Sequence, residues 1–564
     1  MKNIYYNGVI HAEKDMDVSA MGVENGRIGV IGGREEAEKW AQGSEAVRHD
    51  LNGCFVVPGF QDSHLHLLEY GYGLSAAGLS SCTSSLASVL EGLSEYKEER
   101  DLKPGSWIVA RGWNHDYFQD EKRFPTRRDL DRVSLSHPII AYRACGHIAC
   151  VNTAALEAAG ITGQTPQPEG GCFDLDEMGE PTGVLREYGI DLVSRVIPPP
   201  DKGRIKSFIR QAMGRLNAYG ITSAHSDDLS AFPGVDYETV LDAYRELEEE
   251  GLMTLKVYEQ CLLPDMKTLK RFAESGYRTG SGSRYFAIGP LKIISDGSLG
   301  ARTAYLSRPY ADDEEHPDNC GIPIYSQQEL DEMIGYGADH GMQVAVHAIG
   351  DRAMEMAVGA LGKAMGSDRE NPLRHGIVHC QITTKELLKE FKKWNLHGYI
   401  QSIFLDYDSH IVEKRVGKER ASDTYQFKTL FKLGTGLSNG SDAPVECPDV
   451  LAGIQCAVTR TTLDGTKTFL PDQSLSVEEA LETYTAMGAR ASFEEDEKGR
   501  LLPGMAADFT VLSRDIRRCG PDRIRNVRVM GTYVDGVCVF GRDLDFSSKG
   551  LYSLSQEQQT KGRG

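Results

Sequence analysis

Val56-Val57-Pro58-Gly59-Phe60-Gln61-Asp62-Ser63-His64-Leu65-His66 is the stretch in which the run Phe55 to Val57 leads into two histidines one residue apart. On an extended segment side chains alternate, so residues i and i+2 share a face and His64 and His66 aim two imidazoles at one point from a strand end. Neutral imidazole is a preferred ligand for zinc and its neighbours. An HxH triplet taken alone is weak, because loop and satisfied core histidines produce the same spacing. The missing ligands have to come from elsewhere in the chain.

Outward from this stretch, strand-like runs alternate with helical ones, the pattern of a parallel α/β architecture. After the run ending at His66 come Ile221 to His225, Thr254 to Gln260, Leu291 to Gly297, Gln343 to Asp351, Gly376 to Gln381, His397 to Ser402 and Gly434 to Pro444. Amphipathic segments lie between most of them, such as IKSFIRQAMGRLNAYG before the second run and SVEEALETYTAMGARAS after the last. Eight strands in this order favour a (β/α)8 TIM-like barrel over an open sheet. A long interval between the first and second strands, about residues 70–203, contains strand-like runs of its own, WIVARGW and PIIAYRACGH, and reads as an insertion. Because the C-terminal mouth of such a barrel carries its active site, a long excursion there is a candidate lid and specificity element.

The two ends differ from the middle. NIYYNGVI and MGVENGRIGVIG near the start, and VRVMGTYVDGVCVFGR near the end, are short apolar pieces between Gly and Asn-Gly turns. Neither flank has enough apolar surface to stand alone, so pairing with each other is the expected solution. The expected organisation is a small composite β-sandwich from residues 1–57 and 496–550, a barrel over 58–495, and a polar tail over 551–564.

Composition narrows the partners. Lys+Arg 62 against Asp+Glu 82 in 564 residues is a clear acidic excess, which argues against nucleic acid or an anionic membrane as the main partner. Twelve cysteines without CxxC spacing, a start lacking charged and apolar leader regions, and no apolar run of about 18 residues lead to the expectation of a reduced cytoplasmic protein without a transmembrane helix. The partner expected is a small molecule, with a homodimer as the commonest assembly of soluble enzymes.

Several polar residues sit at the tips of the proposed strands. Lys292 lies in the apolar run after Pro290-Leu291, His347 closes QVAVH, His379 closes GIVH, and Asp442 closes LSNGSD. Catalytic residues of a barrel come from the ends of several different strands, which gives the His64/His66 pair its candidate partners.

The motifs PGFQDSHLH, LKIISDGSLGARTA, VHAIGDRA, RHGIVHCQ and GSDAP, in this order, resemble the amidohydrolase superfamily. Within it they are similar to the YtcJ-like metal-dependent hydrolases (amidohydrolase family 3), a branch that includes N-substituted formamide deformylases. RGWNHDYF, RACGHIACVNTAAL and GEPTGVLRE of the insertion also resemble that branch, and GRLLPGMAADFTVL resembles the segment leading back into the small domain. The resemblance implies that His64 and His66 bind one metal, His347 and His379 a second, and Asp442 the first. It implies further that Lys292, whose ammonium has no lone pair, is carboxylated by carbon dioxide to a carbamate bridging both ions. An unmodified Lys292, acting as a structural or substrate-binding cation beside a single metal, stays open.

A divalent ion, zinc above all, lowers the pKa of bound water to around 7 and polarises a carbonyl. The implied activity is hydrolysis of a carbon–nitrogen bond other than a peptide bond by metal-activated hydroxide, in an amide, formamide or cyclic amide. Asp442 serves as general base and then acid toward the leaving nitrogen. Hydrolysis of an ester or carbamate, a non-hydrolytic reaction on the same scaffold, and a catalytically silent regulatory or scaffold protein are the alternatives. Trp113, His147, His225, Asp296 and Arg302 are candidate substrate contacts; packing, capping or loop structure is the competing role for each.

Overall fold

The computed structural model describes residues 1–541 except 101 and 146, so the expected polar tail over 551–564 lies outside the described residues. The described chain forms two compact units: Met1–Tyr70 together with residues 202–541, and Gly71–Asp201.

The core of the first unit is a ring of eight parallel strands: β1 (Phe60–Leu65), β2 (Ile221–Ser226), β3 (Lys256–Leu262), β4 (Phe286–Ile294), β5 (Val344–Ala348), β6 (Gly376–His379), β7 (His397–Ile400) and β8 (Leu437–Asn439). Each pairs with its successor in chain order. Backbone bonds just beyond β8 bring the chain back to β1: the Asp442 amide donates to the His64 carbonyl and the His66 amide to the Ala443 carbonyl, both at 2.8 Å. Gly440 makes this approach possible, since a Cβ there would stand 2.6 Å from the His64 nitrogen. The fold is a (β/α)8 barrel.

Helices follow from the apolar period. Lys202–Ala218 buries Ile205, Phe208, Ile209, Ala212, Met213 and Leu216 along one face. Gln327–Asp339, between β4 and β5, begins at a capping box of Ser326 and Glu329 and lays Gly337 so close to β4 that a Cβ would meet Leu291 Cδ2 at 2.7 Å. The segment SVEEALETYTAMGARAS, expected as one amphipathic stretch, is two helices, Val477–Thr483 and Ala486–Ala491, because Thr485 between them adopts a non-helical φ of −133° and ψ of −93°.

Both chain ends build a second sheet, in the order Val537–Gly541, Val529–Val534, Phe509–Leu512, Phe55–Pro58, Lys2–Glu13, Met16–Glu24 and Arg27–Gly32, with Ala46–Asp50 also paired to Lys2–Glu13. Tyr5, Phe509 and Tyr533 pack there with ring centroids 4.3 to 5.7 Å apart. This composite domain corrects one expectation about the opening stretch. Phe55–Val57 does not run into the histidines on a single strand; it pairs antiparallel with Phe509–Leu512, and β1 starts afresh at Phe60. Gly59 marks the break, pressed so tightly on Thr222 that no side chain would fit. Within the same unit, Lys256 at the foot of β3 is buried against Asp508 at 2.7 Å and Asp535 at 2.8 Å, tying barrel to composite sheet.

The unit Gly71–Asp201 has a sheet and a core of its own. Its strands run in the order Gly171–Leu175, Pro181–Glu187, Ile148–Val151, Ile139–Arg143, Ile108–Trp113 and Ala77–Gly78. The helix Leu86–Glu99 contributes Leu86, Val89, Leu90 and Leu93 to a core that includes Trp113, Ile139 and Ala141. Among the described residues no helix is long and apolar enough to cross a membrane.

Candidate metal centre

Inside the barrel, three strands repeat one arrangement that follows from the two-residue period of a strand. His225 on β2, Tyr258 on β3 and Tyr399 on β7 point inward, with ring centroids of His225 5.1 Å from Tyr258 and 6.5 Å from Tyr399. Gln343 ties the layer together, accepting from Tyr258 Oη at 3.0 Å and donating to Tyr399 Oη at 3.3 Å. Two residues further along each chain come Asp227, Gln260 and Gln401, and each of these grips a histidine at the barrel mouth.

Gln260 Oε1 is 2.8 Å from His64 Nδ1, and Gln401 Oε1 is 2.8 Å from His379 Nδ1. Asp227 Oδ1 is in close contact with His66 Nδ1. A carbonyl or carboxylate oxygen accepts, so each Nδ1 carries a proton, and in a neutral ring the Nε2 lone pair is then the one turned to the centre. His64 Nε2 and His66 Nε2 lie 3.2 and 3.0 Å from the same oxygen, Asp442 Oδ1. Ligand atoms of His64, His66 and Asp442 all fall within 4.8 Å of one another, a spacing one cation can span. His347 and His379 form the neighbouring pair, ring centroids 4.4 Å apart, with His379 5.4 Å from His64. Lys292 Nζ is buried between the groups, 3.1 Å from His64 Nε2 and 3.3 Å from Asp227 Oδ2. The six residues assigned from the sequence as metal ligands converge on one cavity of about 370 Å³.

The local backbone is under tension at two of them. His379 has φ +80° and Asp442 φ +60°, a left-handed region that non-glycine residues adopt at a cost of about 1–3 kcal/mol and that clusters at functional sites. Asp62, wholly buried in β1, holds the Asp442 loop by accepting from the Ser441 amide at 3.0 Å and Ser441 Oγ at 2.6 Å. Burial pushes its carboxyl up to about 7 in spite of those bonds.

Electrostatics fit a site built for positive charge. Burial lowers the pKa of His64, and the Lys292 ammonium lowers it further. Burial also holds His379 well below the usual imidazole range, with His347 adding to the effect. Both rings are therefore neutral donors. His66 goes the other way: against the cost of burial, Asp227 and Asp442 hold it well above its ordinary value. Asp442, despite its burial, is kept well below the carboxylate range by the His64 and His66 imidazoles beside it. Three to five nitrogen and oxygen donors, with outer partners fixing the tautomers, match the donor chemistry of zinc and related divalent ions.

The five candidate substrate contacts are distributed differently. Asp296 is buried, accepting from the amides of Tyr305, Ile349 and Gly350 at 2.8 to 3.1 Å and standing 3.3 Å from His347 Nε2. Arg302, itself at φ +58°, turns to Asp312 at 3.1 Å. His225 lies in the inward layer, fully buried, with neither ring nitrogen hydrogen-bonded, and burial drives its pKa well below the usual range. Trp113 is enclosed in the core of the unit Gly71–Asp201 and donates Nε1 to the Ala141 carbonyl at 2.9 Å, while His147 of that unit is exposed and paired with Glu187 at 2.9 Å. Asp296, Arg302 and His225 do not line the cavity around the ligands.

Asp227, Gln260 and Gln401 escaped the sequence reading. Gln260 and Gln401 look like ordinary polar residues at strand ends, and Asp227 follows a histidine that drew attention first. The usable signal was the period itself: Asp227 stands two residues beyond His225 on the same face.

A family model described as Amidohydrolase family matches residues 49–540. The chain is similar to the YtcJ protein of Bacillus subtilis (strain 168), with 33% identity over 544 residues that cover 96% of this chain and 99% of the relative. It is 27% identical over 545 residues to the N-substituted formamide deformylase of Arthrobacter pascens, covering 92% of this chain and 94% of that enzyme. Among solved structures, an uncharacterized metal-dependent hydrolase from Pyrococcus furiosus matches with a TM-score of 0.76 and 30% identity, over 92% of this chain and 100% of that one.

Proposed function

The chain belongs to the amidohydrolase family, and on that premise we propose that it hydrolyses a carbon–nitrogen bond other than a peptide bond in a small amide, formamide or cyclic amide. The observation that carries this reading is the convergence of His64, His66, Lys292, His347, His379 and Asp442 on one cavity, three of the four imidazoles held at Nδ1 by Asp227, Gln260 or Gln401. His64, His66 and Asp442 would hold one divalent ion and His347 and His379 a second, with Lys292, as a carbamate derived from carbon dioxide, shared between them. Zinc is the ion this donor set suits best, and when bound such ions acidify a water and polarise the scissile carbonyl.

The side chains supply the rest. Asp442, fixed by its own backbone bonds and kept ionised by His64 and His66, takes a proton from the attacking water and returns it to the departing nitrogen, which is otherwise a poor leaving group. Gln260, Gln401 and Asp227 hold the imidazoles so that no ring has to reorganise as charge develops. Leu299, Ile349, Phe404 and Val445 give the cavity an apolar flank for the acyl group or nitrogen substituent. The name of the Arthrobacter pascens relative supports formamides as the first substrates to try.

The test is an activity screen of the metal-loaded protein against N-substituted formamides, N-acyl amines, cyclic imides and matched esters. Amide turnover that a chelator abolishes and added zinc restores is expected. Turnover of esters alone would replace the reading with an esterase, and a protein unable to take up divalent ions would remove the enzymatic reading altogether.

A further inference from the structure

One wall of the metal cavity carries acidic groups that the ligand set does not use. Asp408, which ends the helix Leu405–Asp408, and Glu446, in the loop beyond Asp442, both line the cavity. Among the described residues neither forms an ion pair with a lysine, arginine or histidine. The neighbours that set the state of Glu446 are all acidic: burial first, then Asp406, Asp408 and Asp442, push its carboxyl up to about 7. Asp408 accepts from Tyr425 Oη at 2.7 Å and weakly from Gln381 Nε2 at 3.4 Å. Gln381 also lines the cavity; it is 2% exposed, and its Oε1 is buried with no donor. Glu446 and Gln381 Oε1 thus line the cavity with no donor among the described residues, and both bonds to Asp408 fall on its Oδ2.

The chemistry of this wall distinguishes between kinds of cation. A metal ion needs several ligand atoms drawn within about 3 Å of one point. Among the described residues the only group of three or more histidine, cysteine or acidic side chains with ligand atoms that close is His64, His66 and Asp442. An ammonium instead offers three divergent N–H donors and tolerates acceptors spread around it. Elsewhere in the lining, Ile294, Leu299, Ile349, Phe404 and Val445 are apolar and suit the methylene chain that would carry an ammonium.

We propose that Gln381, Asp408 and Glu446 form a specificity subsite for a protonated amine, so that the substrate is an N-acyl or N-formyl amine bearing a second, cationic nitrogen. The amide end faces the metal ligands, and the ammonium end sits against the two carboxylates and Gln381 Oε1. This rests on the amide-hydrolase reading above for the identity of the bond cleaved, but not for the existence of the subsite.

Hydroxamates, which chelate divalent ions without needing turnover, separate the two. The zinc-loaded full-length protein is titrated with a series of ω-amino alkanohydroxamic acids of increasing chain length, each against the neutral alkyl hydroxamic acid of equal length. At least one ammonium probe is expected to bind about tenfold or more tightly than its neutral isostere, and Glu446→Gln and Asp408→Asn each to bring that ratio toward one. Glu446 is partly buried and, among the described residues, makes no hydrogen bond that its glutamine would break, so it remains informative if Asp408→Asn, which disturbs Tyr425, folds poorly. A ratio near one along the whole series, a ratio that survives in the Glu446→Gln protein, or failure of every ammonium probe to bind overturns the subsite. A preserved ratio in a protein that cleaves no amide overturns the reaction and leaves the subsite standing.

Discussion

Asp227 offers the sharpest test of how this centre is built, because it touches no metal in the proposed scheme and yet controls two groups that do. Its carboxylate, wholly buried, contacts His66 Nδ1 with one oxygen and faces Lys292 Nζ at 3.3 Å with the other. Asp227→Ala removes a charge-assisted hydrogen bond worth about 1.5–3 kcal/mol. At about 1.4 kcal/mol per tenfold, that predicts metal binding weaker by roughly 10- to 100-fold. The same range is found when outer partners of metal-binding histidines are removed in general, about 10–100-fold. Asp227→Asn keeps the shape and a carbonyl that accepts from Nδ1 but not the charge, so it belongs near the lower end, about tenfold by the same conversion. Competition with a chromophoric chelator measures both variants, with far-UV circular dichroism to confirm the fold. Wild-type affinity in a folded Asp227→Ala protein would refute the orienting role, and so would an Asn variant weaker than the Ala variant.

Other expectations follow from neighbouring features. Asp442→Asn should lower amide turnover by at least about 10²-fold, the usual contribution of a positioned acid–base group, with a smaller fractional loss of bound metal measured by elemental analysis. Wild-type Lys292 should take up ¹³C-labelled bicarbonate as a carbamate resonance that is missing in Lys292→Ala; no signal in the active wild-type protein would leave Lys292 as a buried cation. Asp508→Ala should destabilise the fold by about 1.5–3 kcal/mol in urea, the loss of one charge-assisted hydrogen bond to the buried Lys256, which keeps Asp535. Burial depresses His375 to about 4, and its Nδ1 accepts the Val344 amide at 2.9 Å. The folded pKa lies below the unfolded value of about 6.5, so this stability is present above about pH 6.5 and drains as pH falls toward about 4, by about 3 kcal/mol at most. Urea titrations across that window should show a shallower fall for His375→Gln, and an unchanged slope would refute it.

Much of this was legible in the residues themselves. Eight strand-like runs separated by amphipathic segments, with His64, His66, Lys292, His347, His379 and Asp442 near their ends, specify a barrel with a polar mouth because both periods, two for strands and 3.6 for helices, are written locally. The apolar flanks at both ends likewise announced a shared sheet, since neither could bury itself. What the pattern did not reveal was where one strand stops and the next domain begins: Phe55–Val57 and Phe60–Leu65 read as one run, and only the pressure of Thr222 on Gly59 separates them.

The tertiary structure alone decided which polar residues serve the metal ligands. His225 and Asp227 stand two residues apart on one strand, and sequence favours the histidine. The barrel encloses His225 among Tyr258 and Tyr399 and delivers Asp227 to His66, as it delivers Gln260 to His64 and Gln401 to His379. Those pairings join positions 22 to 196 residues apart in the chain, and no local periodicity encodes them. Ligand types are chosen by chemistry that a sequence displays; their orientation is chosen by neighbours that only the closed ring brings into reach.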